Sequence, residues 1–243
     1  WAVLAQRSIA AYPEIARAGG IEFHEPVGHL RVGLNVETAD HPLNRAEAIG
    51  QELGAPLERL DATRLGERFP YLNIPARAQG LYERGGAGVV NPRALVAAQL
   101  AAAQAHGATI LRAEVTGMAR CAGGFNLTIS TGQIIQTRKV LFCAHGYTGL
   151  LLESMLGYGL RLENRAHTTV IAEIDQTEAA RLAGMPSLIW QLDGHPVLPS
   201  VYTTPPAIYP DGNWYLKIGG PLHQPLVLRT TDEIRTWFQG EGN

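Results

Sequence analysis

Apolar side chains at Val3, Leu4, Ile9, Ile15 and Ala18 recur at loosely helical spacing, and Gly19-Gly20 supplies a stop. Around Pro26 and Gly28 the pattern changes to alternation, in Glu22-Phe23-His24 and in His29 to Leu34, which predicts a half-buried antiparallel hairpin. Residues 44–54 read as a helix closing on Gly54. A second short helix is predicted over 61–68, with Asp61 at the N-cap and Phe69-Pro70 ending it. Asn91-Pro92 then places a capping side chain and a first-turn proline ahead of an Ala-rich stretch that runs to Gly107, the clearest helix in the chain. Thr109-Ile110-Leu111 predicts a short strand, and glycine turns at 123–124 and 132 divide 113–137 into an antiparallel meander. Val140 to Ala144 is a continuous apolar run ending at His145-Gly146, the pattern of a strand buried on both faces in a parallel sheet. Beyond residue 150, strands are predicted at 167–174, 188–192, 197–203 and 213–218, with a short helix at 177–183. Prolines at 186, 196, 199, 205, 206 and 210 punctuate them. The order of elements predicts a mixed α/β fold of two interleaved lobes.

Composition narrows what this fold can do. Twenty basic against 22 acidic residues give a net charge of −2, without a Lys/Arg run able to track a phosphate backbone, so nucleic acid is not an expected partner. Hydrophobic residues make up 46% and charged ones 17% of the 243 residues, a globular balance. No stretch approaches the ~18 consecutive apolar residues of a membrane span. Cys121 and Cys143 are too few for a disulfide scaffold, and a free thiol pair predicts a cytoplasmic setting.

The familiar sequence signatures are mostly absent. There is no G-x-G-x-x-G, G-x-x-x-x-G-K or G-x-S-x-G, and the cluster Gly85, Gly86 and Gly88 reads as a turn before a helix cap. The eight histidines and two cysteines show no metal-ligand spacing, so no metal is predicted. Lys217 lies in an apolar strand where alternation puts it on one face with Tyr215; such a lysine is either solvated or part of a site. His145 ends the 140–144 run, at the sheet edge where open α/β sheets bind ligands.

Residues 80–149 resemble the FAD-dependent amine and amino-acid oxidoreductases, the family of sarcosine oxidase, glycine oxidase and D-amino-acid oxidase. The resemblance is carried by Gly88 to Pro92 before the Ala-rich helix, Gly107 to Ile110 after it, Glu114 to Met118, and Gly132-Gln133-Ile134 ahead of Lys139 to Tyr147. It implies a partial FAD-binding, Rossmann-like domain with a β-meander over 80–149. Residues 1–79 and 150–243 would then belong mainly to an antiparallel-sheet substrate domain. It also implies FAD as cofactor, with Val115 contacting the adenine through its backbone and the small residues Ala144 and Gly146 admitting the dinucleotide closely. Tyr147 stands where the family often has tryptophan. Leu216 to Gly220, with His223 three residues on, resembles the sarcosine-oxidase-like branch. In that branch a lysine at the position of Lys217 promotes reaction with oxygen and tyrosine at the position of Tyr202 lines the substrate pocket, so Lys217 and Tyr202 are the expected catalytic residues and Tyr202 and His223 the expected substrate-binding ones.

The family's glycine fingerprint and its closing flavin segment have no counterpart here. The expectation is therefore an internal portion of a flavoenzyme, weak in FAD retention by itself, whose 140–144 run has lost its neighbouring strand. The expected partners are a small amine or amino acid and oxygen or another electron acceptor. The alternatives are a dehydrogenase of the same fold passing electrons to a quinone or a protein, and a flavin-free relic or subunit. Arg31, Arg161 and Arg165 are all candidates to hold a substrate carboxylate, and spacing does not choose among them.

Overall fold

The computed structural model describes residues 1–240. Helix α1 (Ala2–Gly19) leads to β1 (His24–Glu25) and β2 (His29–Gly33). Helix α2 (Pro42–Glu52) follows, capped by His41, whose Nδ1 accepts from the Leu43 N–H at 3.1 Å. Then come β3 (Leu57–Leu60), α3 (Ala62–Arg68) capped by Asp61, β4 (Gln79–Glu83) and β5 (Val89–Val90). Helix α4 (Pro92–Ala105) has the predicted Asn91 cap, accepting from the N–H groups of Arg93 and Ala94. The meander is β6 (Val115–Cys121), β7 (Gly124–Ile129) and β8 (Ile134–Thr137). A 3-10 turn at His145–Tyr147 runs into α5 (Thr148–Leu156), and β9 (Asn164–Arg165), β10 (Thr169–Ile174), α6 (Gln176–Arg181) and β11 (Ser187–Gln191) follow. The chain closes with β12 (Ser200–Ile208), β13 (Trp214–Gly219), β14 (Val227–Leu228) and α7 (Thr231–Phe238).

These elements form two compact units. The first comprises residues 1–108 and 167–224, the second 109–166 and the segment from 225 onward. The first unit is built on a seven-stranded sheet of order β10-β13-β12-β11-β2-β4-β3, in which β11 and β2 run parallel and every other pair is antiparallel. Pro205-Pro206 cannot donate to the ladder, and the β12–β13 register shifts there, between Thr204 and Ala207. Because side chains alternate across a sheet, one face carries Leu30, Val32, Leu60, Leu188, Trp190 and Leu216. With Leu65, Phe69, Leu182 and Met185 these make the main core. A smaller cluster joins α1 to α4 through Ala16, Phe23 and Ala98. In the second unit the meander carries its own pairing, and β9 pairs with β14.

Three expectations are corrected. Residues 22–34 are not a hairpin: β1 pairs with β5, whereas β2 lies between β4 and β11. Alternation marks a half-buried strand but not its partner. Thr109 to Leu111 is extended without a ladder, and Leu111 is 55% exposed. Val140 to Ala144 also joins no sheet, and its residues alternate in exposure, with Leu141 at 86%. An apolar run becomes a doubly covered strand only where strands flank it, and none of the described residues does so here.

Candidate functional site

The first unit's sheet has one face filled by the core and another that is polar over its middle strands. α2 covers this second face at the β3 and β4 end, through Leu43 and Ala46 against Leu57 and Leu81. Over β2, β11, β12 and β13 the same face presents His29 and Arg31, Ser187 and Ile189, Tyr202 and Thr204, and Tyr215 and Lys217. Arg31, Ile189, Tyr202 and Gly219 fall on one cross-strand rung.

Tyr202 is fixed on three sides. Its hydroxyl shares a hydrogen bond of 3.1 Å with Thr169 Oγ1 on β10, and its ring stacks on His167 at 5.7 Å with an interplanar angle of 13°. Beneath it lies Gly219, where a Cβ would stand 2.6 Å from the tyrosine ring, so the glycine is what lets the aromatic lie flat across β13. Lys217, half-buried, carries its ammonium 5.9 Å from the Tyr202 ring centroid, within reach of the ring's negative face. The two residues are thus brought together. His223 is placed apart: it is exposed and bound by its Nε2 to the His195 carbonyl at 3.0 Å, on the loop leading into β12.

Toward β2 the face becomes more buried. His29 Nδ1 lies 2.9 Å from Ser187 Oγ on the parallel neighbour, and Ser187 Oγ is also placed to donate to the Gly28 carbonyl at 3.2 Å. Burial, with the Arg31 charge beside it, pushes the His29 pKa down to about 4, so the ring is neutral at pH 7. Burial likewise holds the Arg31 pKa below its ordinary value and the Glu83 carboxyl above its own. Sequence reasoning did not single out His29 or Ser187. Their register across a parallel ladder joins segments far apart in the chain, which no local motif signals.

The residues expected to face a dinucleotide lie in the second unit. Val115 opens β6, 37% exposed, just before a shift in the β6–β7 register. Ala144 and Gly146 come together at the 3-10 turn. There the Ala144 N–H donates to Thr148 Oγ1 at 3.1 Å, and Asn164 Nδ2 donates to the Gly146 carbonyl at 3.0 Å. His145 between them has φ of 50°, in the left-handed region that non-glycine residues rarely enter. A Cβ on Gly146 would stand 3.1 Å from Asn164 Oδ1, so the turn needs its glycine for that contact. Beside the turn lies a cavity of about 290 Å³ whose lining includes Leu150, Glu153, Glu163 and Arg229.

A family model described as FAD dependent oxidoreductase matches residues 1–239. The chain belongs to the FAD dependent oxidoreductase family. No curated protein is matched by its sequence. Among solved structures, L-proline dehydrogenase from P. horikoshii is similar at 20% identity and a TM-score of 0.68, over 97% of this chain and 60% of that one. Glycine oxidase from Geobacillus kaustophilus is similar at 19% identity and a TM-score of 0.63, over 98% and 61%. NikD, an amino acid oxidase of nikkomycin biosynthesis, is similar at 20% identity and a TM-score of 0.64, over 93% and 56%. At such identities the likeness is one of fold, and the chain spans about three-fifths of the length of these structures.

As a member of an FAD-dependent family, the chain can be tested for fit to that cofactor on its own residues. The small residues at 144 and 146 and the open start of β6 leave backbone accessible to a planar ligand. The cavity beside them, at about 290 Å³, sits at the lower end of the roughly 300–1,000 Å³ of ligand pockets, and Glu153 and Glu163 outweigh Arg229 in its lining. That charge balance does not favour a pyrophosphate. The lining of this cavity therefore does not suit the cofactor's phosphates. Among the described residues no group of three or more His, Cys, Asp or Glu could hold a metal, and no helix is long and apolar enough to cross a membrane.

Proposed function

We propose that the protein is an oxidase acting on the C–N bond of a small amine or amino acid, and that this chain is an internal portion of the enzyme, inactive by itself. The observation that carries this reading is the fixed pair Lys217 and Tyr202 on the open polar face of the seven-stranded sheet. The likeness to glycine oxidase and to the amino acid oxidase NikD supports the substrate class. Bound FAD would supply the two-electron acceptor for the carbon bearing nitrogen, leaving an imine that water hydrolyses. Val115, Ala144 and Gly146 would meet the cofactor through backbone.

The chain's own residues supply position and charge. Tyr202, clamped by Thr169, His167 and Gly219, gives the pocket a rigid aromatic wall with a hydroxyl at its edge. Lys217 holds a fixed cation over that wall. Transfer of an electron to oxygen creates superoxide, and a cation in a site of low dielectric stabilises that anion. His223 is a contributor to the substrate site only through the loop it anchors, since its ring is bound to the His195 carbonyl.

Lys217→Met in the intact enzyme tests the assignment. Reoxidation of the reduced flavin by oxygen should slow by about 10²-fold or more, the scale of losing one preorganised electrostatic group, while reduction by substrate changes little. Unchanged oxygen reactivity would remove the role. A dehydrogenase on the same fold is the second reading, favoured by the likeness to L-proline dehydrogenase. Stoichiometric peroxide on turnover identifies the oxidase, and its absence with an artificial acceptor active identifies the dehydrogenase.

A further inference from the structure

One row of side chains crosses the polar face of the seven-stranded sheet. His29 on β2 stands opposite Ser187 on β11, the register of β11 with β12 sets Thr204 next to Ser187, and Thr204 stands opposite Lys217 on β13. All four are half-buried, so none is sealed from a ligand lying over the sheet. Neighbouring members are one strand spacing, about 4.8 Å, apart at the backbone. The hydrogen bonds within the row fix its protons. Ser187 Oγ meets both His29 Nδ1, at 2.9 Å, and the Gly28 carbonyl, at 3.2 Å. A carbonyl only accepts, so both contacts are satisfied when the serine donates to Gly28 and the imidazole donates from Nδ1 to the serine. His29 Nε2 is then a bare acceptor, and burial keeps the ring neutral at pH 7. Among the described residues neither this Nε2 nor Thr204 Oγ1 has a hydrogen-bond partner.

The row therefore offers hydrogen-bond acceptors and asks its ligand for donors. Charge decides which donors are admitted. Arg31, two residues along β2 from His29, and Lys217 put two cations on this face against the single carboxylate of Glu83, which stands opposite His29 at the outer end of the row. An ammonium group laid along the row is repelled, and a carboxylate brings no donor to the acceptors. An alkyl chain would take water from His29 Nε2 and Thr204 Oγ1 and return no hydrogen bond. What remains is an uncharged group with several donors in line, and successive hydroxyls on a carbon chain are such a group. From His29 to Lys217 is three strand spacings, about 14 Å at the backbone. With a hydrogen bond of about 2.8 Å at each end, that distance suits a chain of about six carbons. Its hydroxyls would run over Ser187 and Thr204, and its amine, in the uncharged form, would lie by Tyr202.

We infer that His29, Ser187 and Thr204 form a polyol subsite on this sheet face, and that the substrate is an amine carrying a chain of hydroxyl groups. The inference rests on the reading of the chain as an amine oxidoreductase for the word substrate; the hydroxyl subsite itself does not.

The test uses the intact protein and two amines that differ only in the hydroxyls of the chain, N-methylglucamine and N-methylhexylamine, with glucitol as a polyol that has no amine. Calorimetry and ligand-observed NMR give the Kd of each. The wild type should bind N-methylglucamine at least about tenfold more tightly than N-methylhexylamine, the scale of one or two net hydrogen bonds, and glucitol should compete with it. Thr204→Val removes the hydroxyl while keeping the side chain's shape and its preference for a strand, and should shrink that ratio about threefold or more. Ser187→Ala should do the same, but it also cuts the bridge from His29 to Gly28. Thr204→Val carries the test where the alanine variant does not fold. In turnover, the ratio of kcat/KM for the two amines should follow the Kd ratio, through KM. A Kd ratio near one in the wild type, or a ratio that neither variant changes, overturns the inference, even with a working oxidase. A hydroxyl preference that Thr204→Val diminishes, with neither amine oxidised, leaves the subsite standing and counts against the amine-oxidase reading instead.

Discussion

His29 and Tyr71 are two half-buried rings whose polar atoms carry opposite consequences. The folded protein holds His29 neutral down to about pH 4, whereas the unfolded chain protonates it at its ordinary value of 6.5. Between those values the unfolded state binds more protons, so acidification favours unfolding there, and below about pH 4 the contribution is flat. Relative to His29→Gln, the wild type should lose about 3 kcal/mol on going from pH 7 to pH 4. Denaturant titrations at each pH measure this, and parallel pH profiles for the two proteins would show that the ring is not held neutral. Tyr71 packs edge-on against Phe69 with its hydroxyl buried and lacking a hydrogen-bond partner, and burial pushes its pKa up to about 12. An unmet hydroxyl contributes only its desolvation cost, so Tyr71→Phe should stabilise the protein by about 1 kcal/mol; a fall in melting temperature would reveal a partner. Neither residue stands out in the sequence, because each owes its state to neighbours in space.

At the scale of elements, the contact between α1 and α4 depends on one missing side chain. A Cβ on Gly19 would stand 2.3 Å from the Ala98 carbonyl oxygen, backbone that cannot swing aside. Gly19→Ala should therefore force the helices apart and cost about 1–3 kcal/mol, read as a lower denaturation midpoint at unchanged slope. A glycine at a helix terminus reads in sequence as a stop, and here it serves as a packing surface as well. Elements whose cause is local were legible: α4 from Asn91-Pro92, α3 from the Asp61 cap, and the meander from its glycine turns. Helix α7 was open to the same reasoning, since Thr230 and Glu233 form a reciprocal capping box. Strand pairing was not legible. β2 has the alternation of a half-buried strand, yet its partners come from β4 and β11, and the apolar run at 140–144 reads as buried only on the assumption of neighbours. The candidate site was half visible: Tyr202 and Lys217 came through a resemblance of local segments, whereas the register that sets His29 beside Ser187 needed the sheet.

On the scale of the whole molecule, the chain passes between its two compact units three times, after residues 108, 166 and 224. Neither unit is a continuous stretch, so a motif search that expects one segment per domain meets each unit in pieces. The polar face of the sheet is likewise assembled from both stretches, His29 and Arg31 from the first and Ser187, Tyr202 and Lys217 from the second.

The one parallel junction of that sheet has a consequence during biosynthesis. His29 on β2 and Ser187 on β11 are separated by 158 residues, and translation at about 5–20 residues per second takes roughly 8–30 s to cover that span. For that interval the nascent chain offers the β2 edge, with Leu30 and Val32 beside it, to whatever it meets first. A holding chaperone on the ribosome would have its natural target there, and overexpression that outruns it should send this protein into inclusion bodies through that strand.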